Sequence, residues 1–480
     1  LLLRALGPDR TRESWRPDAA SRTPVMAASA NGHLECLRAL VEGYDDGKSN
    51  FGRKGDGALN EKGSQAIDPL TRSVPVLVGD RGGGYAAAQG LSPKIPSDDA
   101  SAAAASVSEG IDDYDSEGKT ALMHACMFDQ PRCVEYLLRM GARVEISDKE
   151  EVTTFMLAAG GGHEACLGFL LAAVEDINYL NVTDVHGNNA CHYACLAGES
   201  GALAMLANAG ASLDLPSGAS RVGEALHPAH MAVAHASLQC LVELVRWGAD
   251  LEARDGAGET VLSLAIQYGS DACAEYLLSD ADKGGTLVDP NRPGRDQEPP
   301  IHAAARRGKL AVVSRLLEAG GNPTVRDKVG ETAIHAAAKC GHTAAVALLL
   351  RTSNAGEQDE ENNGSGPRGR SIARWWSMTT DAGETATFLA AREGHLGACQ
   401  ALDAAGALDP SRPNNEGATP MMVAALAGHR EVVQMLIVGG GDVNRSDSKG
   451  RTPAMAAALR GDRSLLEYLS THGARLAARN

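Results

Sequence analysis

One motif recurs along the chain at a spacing near 33 residues, and this period restricts the fold more than any other property of the sequence. Its copies start at Thr23, Thr120, Thr153, Asn189, His227, Thr260, Pro299, Thr332, Thr385, Thr419 and Thr452. From the second copy on, successive starts are 33, 36, 38, 33, 39, 33, 53, 34 and 33 residues apart, so the longer steps are a unit plus an insertion. A unit this short cannot hide its apolar side chains alone. Its stability has to come from contact with neighbouring copies.

Each unit reads as two short helices. A Thr at the start caps the first helix. Small residues inside that helix, such as Ala158 and Ala159, allow close helix contact. A Gly such as Gly198, Gly308 or Gly341 stops the helix and lets the chain reverse. The second helix is amphipathic, with Val312, Val313, Leu316 and Leu317 at helical spacing, and it ends at a Gly such as Gly141, Gly248, Gly320 or Gly473. Asp-x-x-Gly then supplies the turn into the next unit, as at Asp115 to Gly118, Asp255 to Gly258, Asp327 to Gly330 and Asp447 to Gly450.

This pattern resembles the ankyrin repeat family, whose units read D-x-x-G-x-T-P-L-H-x-A-A-x-x-G-H-x-E-V-V-x-L-L-L-x-x-G-A-D. The copies at Thr332, Thr419 and Thr452 match best, and the likeness covers residues 1–43, 114–351 and 380–480. It implies an all-α solenoid of stacked helix-turn-helix-hairpin units. The His of the family motif persists at His192, His230, His302 and His335. Met26, Met123, Met156, Met422 and Met455 replace it in divergent units, where apolar packing is expected to substitute for Thr–His hydrogen bonding.

Two segments interrupt the period. Residues 44–113 are rich in Gly, Ser, Ala and Asp and read as a flexible insertion. Residues 352–379 form a second insertion, in which an acidic run is followed by Arg374, Trp375 and Trp376. The opening Leu1-Leu2-Leu3-Arg4-Ala5-Leu6-Gly7 looks like the end of a second helix with its Gly cap. A further repeat is therefore expected upstream, which makes the first one truncated.

Catalytic and metal chemistry find little support. Cys36, Cys133, Cys166, Cys240 and Cys273 each fall 13 residues after their unit's start, on the side of the second helix expected to be buried. Equivalent positions in adjacent units lie ~8–10 Å apart, beyond the roughly 7 Å Cα separation a disulfide tolerates, so free thiols are expected. Cys191-His192-x-x-Cys195 is the best local metal candidate, but all three occupy repeat positions and structural zinc needs four converging ligands. No phosphate-binding loop, zinc-protease helix or nucleophile elbow occurs. Neither a cofactor nor a metal is expected, and the chain reads as non-catalytic.

The net charge of −16 should repel phosphate backbones, which argues against nucleic acid. No apolar run approaches the ~18 residues of a membrane span, and ten cysteines in 480 residues suit a reducing compartment, the cytoplasm or nucleus. The resemblance implies binding on the concave side, formed by first helices and hairpin tips. Outward positions four, seven and eight residues past each start place Phe128, Tyr193 and Tyr268 in one half of that surface. Arg306, Arg307, Lys339 and Arg392 fall in the next. A groove of this kind suits a protein segment with an apolar anchor and an acidic end. On the other reading the aromatics pack between neighbouring first helices and the cations form a solvated face. Trp375 and Trp376 are either a docking motif or a cap over the gap between units eight and nine. The expected function is a monomeric protein–protein interaction scaffold or adaptor. The alternative is the regulatory ankyrin arm of a larger enzyme, such as a protein kinase, and a third reading is the cytosolic part of an ion channel.

Overall fold

The computed structural model describes residues 19–41, 110–218, 225–279, 286–358 and 375–476. Among these residues the chain forms eleven consecutive helix pairs and no strand beyond three isolated bridges at hairpin bases. Units one to four are α1 (Pro24–Ala30) with α2 (Leu34–Val41), α3 (Ala121–Met127) with α4 (Pro131–Arg139), α5 (Thr154–Gly160) with α6 (Glu164–Ala173), and α7 (Ala190–Ala197) with α8 (Ser200–Asn208). Units five to eight are α9 (Pro228–Ala234) with α10 (Leu238–Arg246), α11 (Val261–Tyr268) with α12 (Asp271–Leu277), α13 (Pro300–Arg306) with α14 (Leu310–Glu318), and α15 (Ala333–Lys339) with α16 (Thr343–Gln358). Units nine to eleven are α17 (Ala386–Glu393) with α18 (Leu396–Ala404), α19 (Pro420–Ala427) with α20 (Arg430–Val438), and α21 (Pro453–Arg460) with α22 (Arg463–Thr471).

Side-chain chemistry at the unit start fixes where each first helix begins. The hydroxyl of Thr120, Thr153, Thr260, Thr385 or Thr419 accepts from the backbone N–H three residues on, at 3.1–3.3 Å. In three of the units with His the imidazole closes the reciprocal bond, as where Thr332 N donates to His335 Nδ1 at 3.2 Å; in unit seven Pro299 has no N–H to give His302. Methionine does not simply abandon this bond. Thr23 N donates to Met26 Sδ and Thr153 N to Met156 Sδ, both at 3.4 Å, so a weak thioether acceptor stands in for the ring nitrogen in these two units. This corrects the expectation that packing alone takes over.

Stacking then buries what each pair exposes. The two helices of every unit pack on each other, every first helix packs on the next from α1 to α21, and the second helices do the same from α2 to α20. One continuous core runs from Val25 to Leu469. The hairpins join in. Each Asp-x-x-Gly carboxylate accepts two backbone N–H groups of its own turn, as Asp327 does from Val329 and Glu331, and several turns also donate a backbone N–H to the one before them. Lys149 N bonds Glu117 O, Val185 N bonds Glu150 O, and Ser448 N bonds Glu416 O.

The boundary of the first insertion shifts slightly. Ile111 is buried in the core and Asp112 accepts from Arg143 N at 3.0 Å, so residues 110–113 pack with the array. Residues 44–109 and 359–374, and the opening Leu1 to Gly7, lie outside the described residues. All ten cysteines are free thiols. Four of the five at the thirteenth position are buried, but Cys36 is exposed. The equivalent Cys166 faces upstream, bonding Asp129 of the preceding unit. Cys36 belongs to the first described unit, so no described unit precedes it.

Two stability predictions follow from this packing. Gly118 has φ +89°, and a Cβ there would meet Lys149 N of the next hairpin at 2.8 Å; Gly141 has φ +90° with nothing within 4 Å. Gly141→Ala should cost only the left-handed strain, about 1 kcal/mol, and Gly118→Ala about 1–2 kcal/mol more, read from urea midpoints. Equal costs would remove the hairpin contact from the account. Burial also holds His192, His230, His302 and His335 neutral, pushing each pKa from 6.5 down to about 4. The unfolded chain therefore binds more protons between these values. Stability is full above pH 6.5 and declines toward pH 4, by roughly 1–2 kcal/mol per histidine at pH 5. The Asp462 carboxyl, held at about 2 by Arg430, titrates below this window. A urea midpoint unchanged between pH 7.5 and pH 5 would contradict the assignment.

Candidate functional site

The first helices present one face to solvent beside the hairpins, and the seventh and eighth positions after each start lie on it. Phe128 caps α3 and is 51% exposed, and Tyr268 at the end of α11 is 66% exposed. Leu196, also at the seventh position, is exposed on α7. Tyr193 behaves differently. It is half-buried, its ring lies against Gly160, and its hydroxyl donates to Asp184 at 2.9 Å. Burial and that carboxylate push its pKa up. Tyr193 is thus packed between neighbouring first helices, whereas Phe128 and Tyr268 stand free of them. Two other residues read as outward are buried: Leu264, and His124, whose Nε2 contacts Asp115 Oδ2 at 2.9 Å.

The half read as basic is neutralised from within. Arg306 pairs with Glu298 at 3.2 Å, Lys339 with Glu331 at 2.7 Å, and Arg392 with Glu384 at 2.8 Å. Each Glu immediately precedes its unit's start and each cation sits seven residues past it, two helical turns along and on the same face. In unit six Gln267 donates to Glu259 in the same arrangement. Solvent-facing pairs of this kind contribute about 0–1 kcal/mol, but they cancel the field an acidic partner would feel. Of the four residues expected to form the basic stretch, only Arg307 is exposed without a carboxylate partner among the described residues. The basis for an acidic end on the partner is lost.

Trp376 is half-buried and packs on the core within a 3₁₀ turn, Trp375–Ser377, that lies against α16. This arrangement matches the cap reading for that residue. The side chain of Trp375 lies outside the described residues. Two residues escaped the sequence reading: Leu426 and Leu459, 49% and 72% exposed at the seventh position of units ten and eleven. The register that found Leu196 would have found them had it been carried to the last two units. Among the described residues no group of three or more His, Cys, Asp or Glu is placed to hold a metal ion. No helix there is long and apolar enough to cross a membrane.

The family model "Ankyrin repeats (3 copies)" matches residues 285–363, 301–410, 369–447 and 388–480, and the single "Ankyrin repeat" model matches residues 117–149. Among curated proteins, the nuclear factor NF-kappa-B p105 subunit of Gallus gallus is 34% identical over 164 residues, 33% of this chain and 15% of that protein. The ankyrin repeat domain-containing protein SAT10 of Stachybotrys chartarum is 27% identical over 323 residues, 65% of this chain. The match to each spans 15% of the relative's own length. The crystal structure of the human ASB11 ankyrin repeat domain aligns with 25% identity and a TM-score of 0.39, covering 45% of this chain and 90% of that one. With capped helix pairs, linked Asp-x-x-Gly hairpins and family matches at both ends of the array, the chain is an ankyrin repeat protein.

Proposed function

We propose that the chain is a non-catalytic scaffold or adaptor that binds a partner protein along its first-helix face, the concave side of ankyrin arrays. Ankyrin repeats are in general protein–protein interaction modules, and the fold by itself names no ligand. The observation that carries the reading is a set of exposed large apolar side chains at the end of five first helices, at the seventh position in Leu196, Leu426 and Leu459 and at the eighth in Phe128 and Tyr268. Isolated exposed leucines are ordinary, but a row repeated on one face has the form of an interaction surface. Aromatic anchors in such rows account for up to ~2–4 kcal/mol each when a partner covers them.

The test is affinity capture from native lysate with the full chain and with the triple substitution Phe128→Ala, Tyr268→Ala and Leu459→Ala. Specific partners should fall about tenfold with the triple variant. They should be unaffected by Val438→Ala, an exposed apolar residue on second helix α20. Capture that survives the triple substitution and is lost with Val438→Ala would move the binding surface to the other side of the array.

A further inference from the structure

The two halves of the first-helix face differ in charge as well as in shape. Between units one and two lies an open cavity of about 640 Å³, walled by Met127 and Phe128 on one side and by Ala27 and Ala30 on the other, with Arg22, Glu117 and Lys119 also in its lining. The cavity exists because alanines occupy the fourth and seventh positions of α1 while the facing unit supplies a methionine and an aromatic ring. The next hairpins carry exposed carboxylates at Asp113, Glu150 and Glu151, which have no ion-pair partner among the described residues. Lys119 is already committed to Glu117 at 2.6 Å. The backbone bonds from Lys149 to Glu117 and from Val185 to Glu150 hold these hairpins in register beside the cavity. In units seven to nine the hairpin carboxylates Glu298, Glu331 and Glu384 are instead taken up by Arg306, Lys339 and Arg392.

We infer that the face of units one to three docks a partner segment carrying Lys or Arg next to a large apolar side chain, the apolar group filling the cavity and the cations meeting Asp113, Glu150 and Glu151. This rests on the reading of the first-helix face as protein-binding and reverses the charge first expected of the partner. Complementary charge of this kind sets selectivity and association rate, while the enclosed apolar contact holds the complex.

Fluorescence anisotropy with the full chain tests it. The probe is a labelled amphipathic peptide of about 15 residues with Leu and Phe on one helical face and Lys and Arg on the other. The control peptide keeps the apolar residues and replaces every Lys and Arg by Glu. The basic peptide should bind at least about tenfold more tightly than the control, and less tightly as salt rises. Phe128→Ala, and separately the pair Glu150→Lys and Glu151→Lys, should each weaken it about tenfold. Val438→Ala, exposed on second helix α20 and off the first-helix face, should leave it unchanged. The comparison of peptides needs no variant, so a folding defect cannot mimic its result. Equal binding of the two peptides, or binding indifferent to Phe128 and the Glu pair, overturns the inference. So does a basic peptide that binds about tenfold tighter after Arg53→Glu, Lys54→Glu and Lys62→Glu, because the chain's own segment would then fill the groove. If lysate capture depends on the first-helix face but the basic peptide does not bind, only the charge assignment fails and the binding surface stands.

Discussion

Everything in this molecule depends on the contact between one helix pair and the next. A pair of helices, each seven to ten residues long except for the sixteen of α16, has an apolar side on each flank and nothing of its own to cover either. The sequence answers with small residues where first helices meet. Ala158, Ala159, Ala194, Ala304, Ala337 and Ala390 are fully buried, and cysteine takes the same place at Cys126 and Cys195. Small side chains let the helix backbones approach closely, so burial is spread over many thin contacts. This explains how an array of 480 residues needs only 4% aromatic content. The hairpin bonds add a second, polar line of contact parallel to the apolar one, in which turns are held by their own Asp and, at several boundaries, by the neighbouring turn as well.

Much of this was legible in the sequence, for a physical reason. Capping, chain reversal and helix termination are local events decided by a few residues, and Thr, Gly and Asp at fixed offsets declare them. The unit starts, the helix pairing and the buried alanines could all be read before any coordinates. Less legible were features needing two parts of a unit to meet in space. The Glu before each start and the cation seven residues beyond it are eight apart in sequence, across a hairpin base and two helical turns. Reading the helix alone gave Arg306, Lys339 and Arg392 as a basic field. Tyr193 shows the same limit, since its position marked it as outward while Gly160 and Asp184 drew it in. The thioether acceptors at Met26 and Met156 were missed because methionine was treated as an apolar replacement only.

The first-helix face is varied while the stack beneath it stays constant. Position seven is Ala30, Met127, Leu196, Gln267, Arg306, Lys339, Arg392, Leu426 and Leu459 in different units, whereas position six of the internal units is small or aliphatic throughout. The first-helix face thus presents apolar groups beside exposed carboxylates at one end, internally paired charges in the middle, and leucines at the other. These zones are independent, because each is set by residues that do not enter the core.

The closed ion pairs have a consequence for how such an array can change length. Glu298 and Arg306, Glu331 and Lys339, and Glu384 and Arg392 each lie within a single module. Duplicating or excising a module at its hairpin carries both members of the pair together. What such an operation would disturb in this stretch are pairs that cross a module boundary, such as Lys328 with Asp296 and Arg326 with Asp381, both at 2.9 Å and both solvent-facing, so that each loss costs about 0–1 kcal/mol.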